Sequence, residues 1–280
     1  MMKKLAILTP GVPYSTKKPK SSLHALERVA ALGLDGIELE YVQGVRVDYS
    51  TMQQLGTKAK ELGLVLTAHA PYYINLFSPE KPKVDKSYQY ILDTARALDA
   101  AGGFSVVFHA AFYLQQSPSK VYGVVKEHLK HIADIAQKEA LKVDIRPELM
   151  GKPTQFGNLD EILDICAEVG PPIKPCIDFA HLHARTGRFN TYEEFAKVFE
   201  KVKEKLGDDA LQDMHIHYSG IQYGAKGEQK HLIFRLSDAK YREFCRALID
   251  YNVKGALVIE SPNIEGDTLL FKLTYEAMSD

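Results

Sequence analysis

Eight histidines and carboxylates in this chain stand at or just beyond the ends of short apolar runs, where a metal-dependent enzyme would keep its ligands. His69, His109, Glu148, Asp178, His215 and Glu260 close six consecutive runs, and His181 and His231 lie in the segments that follow. Imidazole nitrogen and carboxylate oxygen without thiolate suit zinc, manganese or a similar divalent ion, and one carboxylate can bridge two such ions. Taken singly, a histidine such as His69 is more often a hydrogen-bonded structural residue than a ligand. The acids are harder to dismiss. Glu148 follows Ile145-Arg146-Pro147, Asp178 follows Pro175-Cys176-Ile177 and Glu260 follows Leu257-Val258-Ile259, and an ionised acid there needs a cation. For Glu148 the bland alternative is a salt bridge to Arg146. Recurrence on six successive runs is what favours a shared site. His217 lies on the same strand face as His215, which leaves it open as ligand, support or neither. His24, His128 and His131 sit in helical patterns and read as surface or packing residues.

The runs that must position these groups have strand character and recur at 4–9, 36–42, 65–69, 105–109, 142–148, 173–178, 213–217 and 256–260. Between them lie segments with helical spacing, so strand and helix alternate throughout. Ser50-Thr51 is placed to cap a helix with Met52, Leu55, Ala59 and Leu62 on one face and Gly63 as its stop. Asn158 precedes Leu159, Ile162, Leu163 and Cys166, and Thr191 opens a helix carrying Phe195, Val198, Phe199 and Val202. Eight such units in 280 residues predict an α/β fold, a single-domain (β/α)8 TIM barrel over residues 1–280, whose chemistry sits at the C-terminal ends of the strands. Gly11-Val12-Pro13 is not the glycine-rich turn that an open dinucleotide-binding sheet would show. Two polar connections, 149–158 and 218–235, follow ligand-bearing strands and read as functional loops.

Composition excludes some classes. With 35 basic and 36 acidic residues the formal net charge is −1, so any nucleic-acid binding must use a local patch. Three cysteines, Cys166, Cys176 and Cys245, lack metal-ligand spacing and read as reduced, buried thiols. The basic start Lys3-Lys4 is followed by too short an apolar run for a signal peptide, and no stretch is long enough for a membrane span. A cytoplasmic protein with no membrane association and no obligate protein partner is expected.

His69-Ala70-Pro71-Tyr72-Tyr73-Ile74-Asn75-Leu76 resembles the H-x-x-Y-x-I-N-L segment of the zinc-dependent apurinic/apyrimidinic endonuclease IV family, within the xylose-isomerase-like barrel superfamily. Cys176-Ile177-Asp178-Phe179-Ala180-His181 is similar to that family's C-I-D-T-C-H strand end, Met214-His215 to its M-H-L-N strand, and Glu260-Ser261-Pro262 to its E-T-P. The resemblance runs over nearly the whole chain. It implies a first zinc ion on His69, His109 and Glu148, and a second on Glu148, Asp178, His215 and Glu260. A third would use His181, His231 and an aspartate two residues before His231, but that position is Gln229, with Glu228 beside it. The implied partner is double-stranded DNA containing abasic sites, cut on the 5′ side of the lesion to leave a 3′-hydroxyl and a 5′-deoxyribose phosphate. Glu148 and Glu260 would be essential to catalysis. Tyr72 and Tyr73 would enter the base stack, and Lys226, Lys230 and Arg235 would meet phosphates.

A competing reading uses fewer residues. Glu148, Asp178, His215 and Glu260 alone match the single-ion site of related sugar isomerases and epimerases, with manganese or magnesium in place of zinc. That reading gives no reason for His69, His109 and His231 to join the cluster. A third class, a binding module with a structural metal, fits poorly because such zinc sites are usually closed and thiolate-rich.

Overall fold

The computed structural model describes residues 2–46 and 48–279. Eight parallel strands form the barrel: β1 Leu5–Pro10, β2 Gly36–Glu40, β3 Val65–His69, β4 Ser105–Phe108, β5 Asp144–Pro147, β6 Cys176–Asp178, β7 Met214–Tyr218 and β8 Gly255–Ile259. Their hydrogen-bonded order is β5-β4-β3-β2-β1-β8-β7-β6. The remaining seam, β5 against β6, is closed by single bridges, Ile145 to Ile173 and Glu148 to Cys176. The molecule is a TIM barrel, as the alternation of runs predicts.

Strand period sorts each residue to one of two faces. Leu5, Ile7, Ile37, Leu39, Ile177, Ile216, Leu257 and Ile259 join the large core under the helices, whereas Ala6, Leu8, Ala256 and Val258 form a separate small cluster within the barrel. The rest of that inner face is polar and fully buried, with Glu38, Thr67, Ser105, Arg146, His215 and His217 among its members. Arg146 does not pair with Glu148. Its guanidinium lies a layer lower and bonds Asp144 at 2.9 Å and the Asp213 carbonyl at 3.0 Å.

Local signals account for most helix ends. The helix Leu159–Val169 starts with a capping box between Asn158 and Glu161. Thr191 precedes Tyr192–Leu206, whose Phe195, Val198, Phe199 and Val202 are buried as their spacing requires. The helix Tyr49–Leu62 departs from expectation, because Asp48 is its cap and accepts from the Thr51 N–H, placing Ser50 and Thr51 inside the first turn. Asp48 accepts with a full charge, which favours it at the positive end of the helix. All three cysteines are free and buried. Among the described residues no helix is long and apolar enough to cross a membrane.

Gly255 shows how tightly the strands approach. It has φ +121°, and a Cβ there would lie 2.0 Å from the Met214 carbonyl oxygen. Gly255→Ala is therefore expected to lower the unfolding free energy by about 2–4 kcal/mol from backbone strain and forced strand separation. Urea unfolding should show it as a lower midpoint, and an unchanged midpoint would mean that the β7–β8 pairing tolerates a shift.

Candidate metal centre

Among the described residues, strand ends bring ligand-type residues together in five groups, two of which, Cys176 with His215 and His217, and Glu38 with Glu40 and Glu260, flank the three that hold most of the residues singled out from the sequence. His69, His109 and Glu148 form one, Glu148, Asp178, His217 and Glu260 a second, and Asp178, His181 and His231 a third. Within each group the ligand-type atoms all lie within 4.8 Å of one another. Glu148 belongs to the first two and Asp178 to the last two, so the groups fuse into one continuous surface. Seven of the eight residues singled out from the sequence are in it.

The eighth, His215, groups instead with Cys176 and His217 one layer below, and it is His217 that stands with Glu148, Asp178 and Glu260. His215 and His217 share the inner face of β7, but strand register sets His217 beside Asp178 and His215 beside Cys176, one layer deeper. There His215 lies 2.7 Å from Ser105 Oγ and 3.1 Å from Glu38 Oε2. Depth in the barrel depends on register between strands distant in the chain, which the alternation within one strand cannot reveal.

The donor set fits divalent cations. His69 Nδ1 is 2.7 Å from the Ala70 carbonyl, His181 Nδ1 3.0 Å from the Leu149 carbonyl and His231 Nδ1 3.0 Å from the Glu260 carbonyl. A carbonyl only accepts, so each Nδ1 carries a proton, and each Nε2 is the atom that could offer a lone pair to a cation once any proton on it is displaced. Asp178 Oδ2 is buried with no well-aligned hydrogen bond, its ion-pair neighbour being His181 Nδ1 at 3.2 Å. Such an oxygen is costly unless a cation completes it.

The charges respond as expected of a crowded, dry site. Burial alone would raise the Glu148 carboxyl, but the rings of His109, His217 and His181 overcome that and hold it well below the usual range. Burial, with the nearby Glu260 and Glu148 charges, lifts Asp178 to about 6. Burial lowers His69, yet Glu148 and Glu40 outweigh it and bring its pKa to about 9.

Two acids on β2 escaped the sequence reading. Glu38 is fully buried, and Glu40 accepts a hydrogen bond from Tyr72 OH at 3.1 Å. Burial lifts Glu40 to about 7. The signal was available, because Gly36-Ile37-Glu38-Leu39-Glu40 alternates strictly and puts both acids on the face opposite Ile37 and Leu39.

A cleft of about 750 Å³ opens above the cluster, lined by Tyr14, Glu40, Tyr72, Lys152, Glu228 and Ile264 among others. Tyr72 is held by Glu40 and packs 4.9 Å from the His69 ring, whereas Tyr73 is 68% exposed. The connection 218–235 is a hairpin, Gly220–Gly224 with Gly227–Leu232, rather than an irregular loop. Lys226, Lys230 and Arg235 are exposed and do not line the cleft, where Lys152 is the basic residue. His24, His128 and His183 bond elsewhere, to the Pro19 carbonyl, Tyr88 OH and Asp238 respectively.

The xylose isomerase-like TIM barrel family model matches residues 26–274. The chain belongs to that family. Within it, an uncharacterised protein of Methanocaldococcus jannaschii is 40% identical over 275 residues, 96% of each chain. A probable endonuclease 4 of Methanosphaera stadtmanae is 27% identical over 164 residues, 57% of this chain and 56% of that protein. Among solved structures, endonuclease IV from Thermus thermophilus superposes with TM-score 0.72 at 18% identity, covering 96% of this chain and 98% of that one. A D-tagatose 3-epimerase-like protein superposes with TM-score 0.71 at 17% identity, covering 99% and 98%. At these identities the superpositions establish the shared barrel alone.

Any cation bound by these groups would compete with protons for the same atoms. With its pKa near 9, His69 is protonated at neutral pH when no cation is bound, and a cation must displace that proton. Affinity should therefore climb from pH 7 to pH 9 and fall on acidification, by on the order of tenfold per pH unit for each proton displaced. Chelator competition across that range measures it, and a flat profile would contradict ligation by these histidines.

Proposed function

We propose that this protein is a multinuclear metal-dependent phosphodiesterase of the endonuclease IV type, incising double-stranded DNA on the 5′ side of abasic sites. The observation that carries the reading is the fusion of the three ligand groups through Glu148 and Asp178. One ion cannot use eight ligands spread over that surface, whereas neighbouring ions sharing bridging carboxylates can. Zinc fits the imidazole-rich first and third groups. When bound, such ions activate water and stabilise charge on the phosphate and on the leaving oxygen.

The chain's own residues would do the rest. Glu148 and Glu260 hold the cations together at the base of the cleft. Tyr73, more exposed than Tyr72, is better placed to enter a stack from which a base is missing than Tyr72, which Glu40 tethers. Lys152 at the cleft, with Lys226, Lys230 and Arg235 on the exposed hairpin and beyond it, would meet phosphates, because a chain of net charge −1 has no global field to offer.

The third group departs from the family pattern at Gln229, and the hairpin explains how. Gln222 pairs with Lys230 and Tyr223 with Glu228, which leaves Gln229 as the extra residue of a bulge. Its side chain turns to Gln222 on the exposed side, while Glu228 Oε2 comes to 3.5 Å from His181 Nε2. We assign Glu228 the place of the missing aspartate.

A second reading is favoured by one observation. Glu148, Asp178, His217 and Glu260 form a self-contained group of the kind a single-ion sugar epimerase needs. Elemental analysis together with cleavage of a duplex carrying one abasic analogue separates the two. Two or three zinc ions and a single 5′ incision support the nuclease, whereas one manganese- or magnesium-type ion and intact DNA would move the assignment to the epimerase.

Under the nuclease reading, Glu148→Gln and Glu260→Gln should each cost more than the roughly 10–100-fold typical of losing an outer partner, with the far-UV circular dichroism retained. Wild-type incision rates in either variant would remove it from the centre. Glu228→Gln is expected to lower the metal content by one ion, and Gln229→Asp to leave it unchanged. A gain of metal in Gln229→Asp would show that the bulge is not fixed.

A further inference from the structure

The histidines of the centre are not all oriented alike. His69, His181 and His231 each face a backbone carbonyl with Nδ1 and are left with Nε2 as the ligand atom. His217 is reversed. Its Nδ1 lies 3.2 Å from Glu148 Oε1 and 3.3 Å from Glu260 Oε1, while its Nε2 points down the barrel to within 3.0 Å of Glu38 Oε1.

We propose that Glu38 is a positioning residue that fixes the tautomer of His217, keeping the proton on Nε2 and the Nδ1 lone pair directed into the metal centre. The inference rests on the metal centre described above and is independent of whether DNA or a sugar is the substrate.

The buried layer beneath the centre has few ways to satisfy itself. Glu38, Thr67, Ser105, His215 and His217 are all fully buried, so no bulk water serves them. Thr67 Oγ1 donates to Glu38 Oε2 at 2.8 Å, and His215 Nε2 lies 3.1 Å from the same oxygen. A carboxylate only accepts, so once a cation takes the place of the proton on His217 Nδ1, which otherwise faces Glu148 and Glu260, the favourable place for the remaining proton is the Nε2 that faces Glu38. His215 Nδ1, 2.7 Å from Ser105 Oγ, then accepts the serine proton. Glu38 Oε1, His215 Nε2 and His217 Nε2 lack well-aligned hydrogen bonds, so it is close approach, 3.0 and 3.1 Å, that pairs both rings with the Glu38 carboxylate. The opposite tautomer of His217 would set an unprotonated Nε2 against a carboxylate oxygen and an N–H against the cations. Glu38 thus does for His217 what backbone carbonyls do for the other three rings, and His215 braces Glu38 from its far side. Outer partners of this kind fix ring orientation and raise ligand basicity.

Zinc affinity measured by competition with a chromophoric chelator tests the proposal without relying on turnover. Glu38→Leu, of similar size but with no acceptor, should weaken affinity by about 10–100-fold. Glu38→Gln keeps one acceptor and should recover part of the loss. Ser105→Ala cuts only the distant His215 bond and should bind zinc as the wild type does. Nitrogen NMR of zinc-loaded wild-type protein labelled in its histidines should show Nδ1 of His217 bound to metal and Nε2 protonated. This second measurement stands even if Glu38→Leu fails to fold. Unchanged affinity in folded Glu38→Leu, or zinc on Nε2, would overturn the positioning role and leave the metal centre intact. A wild-type chain that takes up no cation would overturn the centre itself, and this inference with it.

Discussion

A buried carboxylate surrounded by imidazole is the constraint on which the upper half of this barrel depends. Glu148 is 1% exposed, and nitrogens of His69, His109, His181 and His217 lie 3.0–3.3 Å from its oxygens. Those rings come from β3, from the residue after β4, from the helix that follows β6, and from β7. One acid therefore joins elements spread over most of the circumference. Without cations, protons on the rings must neutralise it, as the raised pKa values of His69, His181 and His217 indicate. With cations, the same rings deliver lone pairs instead. A cation bound here, as proposed above, would take the place of those protons.

The seam at β5 and β6 places that acid. Regular pairing lapses there, and the barrel is closed by two isolated bridges, one of them from Glu148 itself to Cys176. The Glu148 amide bonds the Phe108 carbonyl at 3.0 Å, and the Leu149 amide bonds the Cys176 carbonyl at 3.1 Å. The backbone at the metal-bearing residue is thus gripped from both neighbouring strands. Rigid anchorage matters more for a bridging ligand than for any other, since a displacement there shifts every ion that shares it.

Much of this was legible in the chain, and the boundary is physical. Alternation of short apolar runs with helical segments gave the barrel, because both periods are local properties of consecutive residues. The strand-end acids announced themselves through the cost of burying charge. What could not be read was anything set by pairing between strands. His215 and His217 have the same type and face, and only the register of β7 against β6 decides which meets Asp178. Glu38 and Glu40 stood in plain alternation on β2, a run read for its strand character without regard to the face its two acids occupy. In a barrel whose inner face already holds Thr67, Ser105, His215 and His217, that face is a dry polar layer.

The hairpin carries the same lesson to the rim. A metal-ligand pattern written as residues at fixed spacing assumes an unbroken strand, in which positions two apart share a face. Here a bulge at Gln229 adds one residue, so Glu228 and His231, three apart, point the same way and Gln229 turns out. Gly151 completes the arrangement. A side chain there would crowd the Glu228 side chain at 2.8 Å and His181 Cδ2 at 3.1 Å, and its carbonyl accepts the Glu228 amide at 3.1 Å. The bare backbone at Gly151 is what lets the hairpin settle close enough for Glu228 to approach His181. On the reading proposed above, what looks in the sequence like the loss of a ligand would be a displacement by one position that the backbone absorbs.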